Sequence, residues 1–163
     1  MAEPRQKPVY AFIDSQNLNL GVRSQGWKLD FSKFLVYLKD KLKVAKAFLF
    51  IGYLKENQKL YRSLAKSGYT LVYKPIAHGE YGKVKGNVDA ELVLHTMIEY
   101  KNFDQAVIVT GDGDFFCLVE YLNKKGKFKR IIIPNRKKYS QFYVKFKNKA
   151  LFVNDIKSKV SKQ

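Results

Sequence analysis

Short apolar runs, each stopped by an acid, glycine or proline, alternate along the chain with stretches whose apolar residues recur every three or four positions. Val9 to Ile13, Val44 to Gly52, Tyr69 to Tyr73, Ala106 to Val109 and Phe128 to Ile133 have the length and the β-branched and aromatic content of strands. Between them, Phe31, Phe34, Leu35, Leu38 and Leu42 repeat at helical spacing behind Asp30, a suitable N-cap. Leu60, Tyr61 and Leu64 mark a second helix that stops at Gly68. Val88 to Tyr100 is apolar around most of its circumference and is expected to be well buried. A further helix runs from about Gly113 to Lys125. Tyr139, Phe142, Tyr143 and Phe146, spaced i, i+3, i+4 and i+7, predict a last helix packed on the core.

Strands that alternate with helices imply right-handed crossovers and a parallel sheet covered on both faces. The expected fold is therefore α/β: a three-layer, Rossmann-like sheet of about five strands with helices on both faces. One domain spans 9–156. Residues 1–8 and the basic tail 157–163 read as flexible ends, Ile76 to Gly86 as a loop, and Leu151-Phe152-Val153 as a short apolar piece.

Composition narrows the class. With 46% hydrophobic and 28% charged residues the chain is globular, not disordered. Its 31 Lys and Arg against 14 Asp and Glu, a net charge of +17, favour a polyanionic partner, and nucleic acid before an anionic membrane surface. Cys117 is the only cysteine, which excludes an internal disulfide and a C-x-x-C metal site; beside Phe115-Phe116 it reads as a small buried hydrophobe. No apolar run approaches 18 residues and the first eight residues lack a signal core, so a soluble, cytoplasmic protein without a membrane span is expected.

Against that basic background, the acids fall at strand ends. Asp14 ends the first strand, Asp112 and Asp114 follow the fourth in Thr110-Gly111-Asp112-Gly113-Asp114-Phe115, and Asp89 follows Gly86-Asn87-Val88. Residues just past the carboxyl ends of neighbouring parallel strands converge on one crevice. Clustered carboxylates need a cation or shared protons, so these acids outline a candidate metal site. Each also has a plainer reading, as a helix cap. Asn17, three residues after Asp14, is placed to orient Asp14, a water or a phosphate, or to begin a short helix ending near Val22. Glu91 reads as a solvated first-turn acid.

Taken together, Phe12-Ile13-Asp14-Ser15-Gln16-Asn17-Leu18, Lys85-Gly86-Asn87-Val88-Asp89 and Thr110 to Phe115 resemble the motifs of the NYN domain family, PIN-like nucleases that include the LabA-like proteins. The resemblance runs from about Val9 to Ile156, with the motifs in the family's order. It implies a Rossmann-like sheet, acids that bind Mg²⁺ or Mn²⁺, and hydrolysis of RNA phosphodiesters leaving 5′-phosphate ends. By position it makes Asp14, Asp89, Asp112 and Asp114 metal ligands and catalytic residues, with Asn17 as the accompanying polar residue. One departure is His95, which stands about where many relatives carry another acid.

Phosphate contacts are expected from Arg136, Lys137 and Lys138, just past the fifth strand, and from Lys83, Lys85 and Arg23. His78 reads as a surface residue. The function so implied is a metal-dependent ribonuclease, an endoribonuclease, acting on single-stranded or structured RNA as monomer or homodimer. The alternatives are a weakly active or inactive RNA-binding module of the same fold, and a small phosphohydrolase; the chain lacks the D-x-D-x-T motif and the G-x-x-x-x-G-K-[ST] loop of two common phosphate-handling classes.

Overall fold

The structure, a computed structural model, describes residues 8–75, 77–78, 84–85 and 88–163. In chain order its elements are β1 (Val9–Asp14), α1 (Ser15–Arg23), α2 (Phe31–Leu42), β2 (Val44–Tyr53), α3 (Gln58–Ser67), β3 (Thr70–Pro75), β4 (Ala77–His78), β5 (Val84–Lys85), α4 (Asp89–Ile98), β6 (Gln105–Val109), α5 (Phe116–Lys124), β7 (Phe128–Ile133), β8 (Ala150–Phe152) and α6 (Lys157–Val160). The main sheet has six strands in the order β3-β2-β1-β6-β7-β8, and every neighbouring pair is parallel. The fold is α/β and Rossmann-like.

Each central strand is buried on both faces, so its sequence is a continuous apolar run. Ala11, Ile13, Leu49, Val107 and Val109 face a mainly aliphatic layer shared with α1, α2 and α3. Phe12, Phe48, Phe50 and Ile108 face an aromatic layer with Leu92, Phe103, Phe115, Tyr143 and Phe146. In that layer Phe12 stacks on Phe48 with ring centroids 5.2 Å apart and meets Phe103 edge-on at 5.5 Å. Asp30 caps α2 by accepting the Lys33 N–H at 3.1 Å, and Gly68 ends α3 with φ of 118°, a value that favours glycine.

Several expectations are corrected. Leu151 and Phe152 belong to a sixth strand, β8, which adds to β7. Part of the expected loop pairs as the antiparallel strands β4 and β5. The expected last helix is 3₁₀ over Gln141–Lys149, with a kink at Phe146. In a 3₁₀ turn residues three apart share a face, so Tyr143 and Phe146 are buried while Phe142 is 61% exposed. Helix α4 packs through Leu92 and Thr96 but leaves Leu94, Met97 and Ile98 exposed, so it is buried on one side only. Cys117 is exposed, because α5 turns Leu118, Val119 and Leu122 inward instead.

The chain end is held as well. Val160 is buried, its carbonyl accepts the Asp30 N–H at 2.8 Å, and the Lys162 N–H reaches the Lys28 carbonyl at 2.9 Å. Among the described residues no helix is long and apolar enough to cross a membrane. Residues 1–7, expected to be flexible, lie outside the described residues.

Candidate metal centre and nucleic-acid interface

Counting only the main sheet, the strand order reverses between β1 and β6, the place where an open parallel sheet forms its crevice. Ile13 pairs with Val109 across that boundary, so Asp14 and the Thr110 to Asp114 turn emerge side by side. Asp14 and Gly111 to Gly113 line a cleft of about 660 Å³ together with Asn17, Asp89, Lys138 and Ser140.

The turn is fixed by contacts that converge on it from three segments. Asn17 Oδ1 accepts the Gly111 N–H at 2.7 Å, tying the start of α1 to the end of β6. The Thr110 hydroxyl accepts the Asp112 N–H at 3.1 Å and donates to Asp14 Oδ2 at 3.3 Å. Asp112 Oδ1 accepts the Asp114 N–H at 2.9 Å and opens the short 3₁₀ turn Gly113–Phe115. From the far side, the Ser140 N–H donates to the Gly111 carbonyl at 3.0 Å and the Tyr143 hydroxyl donates to the Asp112 carbonyl. Gly113 is required by close approach: a Cβ there would lie 2.6 Å from Ser140 Oγ.

Beside this turn the start of α4 brings in a third acid. Ligand oxygens of Asp89, Asp112 and Asp114 all lie within 4.8 Å of one another. Asp89 is the first residue of α4, one place inside the expected cap, and Asp114 is exposed. Asp14 lines the same cleft outside that trio. It is 5% exposed and caps α1 by accepting the Asn17 N–H at 3.2 Å. Burial pushes its carboxyl up to about 6; bonds from Asn17 and Thr110 pull the other way, and the charge of Asp112 adds to the rise. Burial, with Asp112 nearby, raises Tyr143 far above the ordinary phenol, so its hydroxyl stays protonated and keeps donating.

The basic candidates divide. Lys138 lines the acid cleft. Arg136 does not reach into it: its guanidinium pairs with Asp155 and sits 4.7 Å over the Phe152 ring. Lys137 is exposed, with its N–H on Asn135 Oδ1 at 2.9 Å. Arg23 lies on the other side of α1, on a second cleft. Lys83 and the side chains of Lys85 and His78 lie outside the described residues. His95 packs against the Phe50 ring at 5.8 Å and is not part of the acid trio. Glu91 pairs with Lys74 at 3.8 Å.

Sequence reasoning missed Thr110, Ser140 and Tyr143. Thr110 stands inside the motif that was read, but only the fold shows its hydroxyl bridging two acids. Tyr143 carried a core signal, and it is a core residue whose one polar atom happens to hold the turn.

The sequence profile of the NYN domain matches residues 8–151. The chain belongs to the NYN domain family. NYN domains are PIN-like and nuclease-like. The chain is 28% identical over 125 residues to the low amplitude and bright protein LabA of Synechococcus elongatus, an alignment that covers 70% of this chain and 67% of that one. A crystal structure of a protein of unknown function from Vibrio parahaemolyticus superposes with a TM-score of 0.76 at 20% identity, over 95% of this chain and 98% of that one. That likeness concerns the fold.

Proposed function

We propose that this NYN-domain protein is a metal-dependent endoribonuclease that hydrolyses RNA phosphodiester bonds in the acid cleft, and that it works in the cytoplasm. The observation that carries the reading is the meeting of Asp89, Asp112 and Asp114 within 4.8 Å at the switch point of a chain with net charge +17. Three hard carboxylate oxygen donors fit Mg²⁺ or Mn²⁺ better than softer ions. A divalent ion bound there would supply Lewis acidity and lower the pKa of a coordinated water.

The chain's own groups do the rest. Asp89, Asp112 and Asp114 would hold the ion. Asp14 would orient water from the wall of the cleft, with a carboxyl near 6 that is mostly ionised at neutral pH. Asn17, Thr110 and Tyr143 keep the turn in register, so that the carboxylates need no rearrangement when substrate arrives. Lys138 would contact a phosphate beside the scissile one, and Lys83 and Lys85 would do so from the segment before α4.

A second reading, an RNA-binding module without catalysis, is favoured by one feature. His95 supplies no carboxylate where many relatives have one, and it is packed against Phe50 instead. End-labelled single-stranded RNA, incubated with Mg²⁺, Mn²⁺ or EDTA beside Asp112→Asn, separates the two. Cleavage that needs the metal and disappears in the variant establishes the nuclease. Salt-sensitive binding with no cleavage in either metal would leave the binding module.

A further inference from the structure

Across α1 from the acids lies a second cleft of about 620 Å³, between the start of α2, the carboxyl end of β2 and α3. Gln16 lines both clefts, so the two adjoin at the first turn of α1. Their chemistry is opposite. Among the described residues, Asp14, Asp89 and Asp112 line the first with Lys138 as its one cation, whereas Arg23, Lys28 and Lys162 line the second with Asp30 as its one carboxylate. That carboxylate is already engaged as the cap of α2. Below the cations the floor is apolar, with Leu49, Ile51 and Leu64.

We propose that this second cleft docks the stretch of single-stranded RNA that flanks the bond held in the acid cleft. The inference rests on the ribonuclease reading for the direction of the strand, but not on cleavage itself. A nucleotide unit presents one anionic phosphate, a hydroxylated sugar and a flat base with apolar faces. The cleft answers each part: exposed Arg23, Lys28 and Lys162 for phosphates, serine and asparagine side chains such as Asn19 and Ser63 for the sugar, and the aliphatic floor for a base. The acid cleft alone repels a polyanion, so retention of the strand falls to a neighbouring basic surface. A shared wall at Gln16 lets one strand occupy both.

The test is binding of a 5′-fluorescein octauridylate, followed by anisotropy in EDTA so that no cleavage enters the readout. The double variant Arg23→Ala/Lys28→Ala is expected to bind about 10-fold more weakly. It should also lower the slope of log affinity against log salt by about 1.4, at about 0.7 per single-strand phosphate contact. Lys41→Ala/Lys124→Ala removes the same charge from exposed positions in the last turns of α2 and α5, just before the amino ends of β2 and β7 and outside both clefts, and is expected to change affinity less than 2-fold by comparison, a small fraction of that effect. In the wild-type protein the methyl signals of Ile51 and Leu64 should shift on saturation with the RNA. Equal weakening by the two double variants, or methyl signals that do not move, would overturn the proposal. Absence of cleavage in Mg²⁺ would overturn only the ribonuclease reading.

Discussion

The two clefts that flank α1 are nearly equal in volume, about 660 and 620 Å³, yet they are built by different rules. The acid cleft lies where strand order reverses, and its turn is held by Asn17 and Tyr143 from distant segments as well as by its own Thr110 and Asp112. The basic cleft lies between helices, and its charged residues, Arg23, Lys28 and Lys162, are exposed. The difference teaches where each kind of work is done. Chemistry needs carboxylates fixed before the substrate arrives, and fixing them costs stability; retention of a flexible polyanion needs only charge within reach.

The largest expected effect falls on the acid cleft. Asp112→Asn removes one of the three clustered charges and should lower metal-dependent RNA cleavage by about 1000-fold or more, with octauridylate affinity in EDTA unchanged or slightly higher. A parallel loss of affinity would break the division of labour between the clefts.

Asp14 gives the next largest effect, and it is on stability. Its native carboxyl lies at about 6 against an ordinary 3.8, so the folded protein holds this proton more tightly than the unfolded chain. The resulting contribution is fully present below about pH 4 and is lost as pH rises through about 6. Asp14→Asn should therefore stabilise the metal-free protein by up to about 3 kcal/mol above pH 6 and by almost nothing at pH 4, in denaturant titrations at the two pH values. Saturating Mg²⁺ should shrink the gain at neutral pH. An equal effect at both pH values would mean that Asp14 is an ordinary cap.

How much of this was legible in the chain follows from the range of each interaction. Apolar runs and caps are local, so the strands, the Asp30 cap and the Gly68 stop could be read directly. Strand-end acids could be read because the topology of parallel sheets puts them on one edge. What could not be read were contacts that need the register of distant segments: Tyr143 on the Asp112 carbonyl, Ser140 against Gly113, and Val160 pinned beside Asp30. The aromatic spacing after Tyr139 was misread because 3₁₀ and α periods place the same residues on different faces. Arg136 and Arg23 were both expected to contact phosphate, Arg136 from its place just past the fifth strand. Only the fold shows that one is spent on Asp155 and Phe152 and the other faces the second cleft.

Asn17→Ala sharpens the comparison from the side of α1. It removes the acceptor for the Gly111 N–H and should lower the cleavage rate by about 10- to 100-fold, mostly in kcat. Affinity for the octamer in EDTA should hold. The smallest effect belongs to Arg136→Ala, whose guanidinium is committed to an exposed ion pair and a ring. It should change RNA affinity by less than about 2-fold, against a larger loss for Lys138→Ala in the presence of Mg²⁺.

The central claim, that Asp89, Asp112 and Asp114 are gathered to hold a divalent ion, is tested most directly by titrating Mn²⁺ into ¹⁵N-labelled protein. The account predicts that the amide signals of Asp89 and of Gly111 to Phe115 broaden first, that Lys28, Leu64 and Lys162 stay sharp at the same Mn²⁺ concentration, and that Asp112→Asn abolishes the early broadening. Uniform broadening across the protein, or early broadening that survives Asp112→Asn, would contradict it.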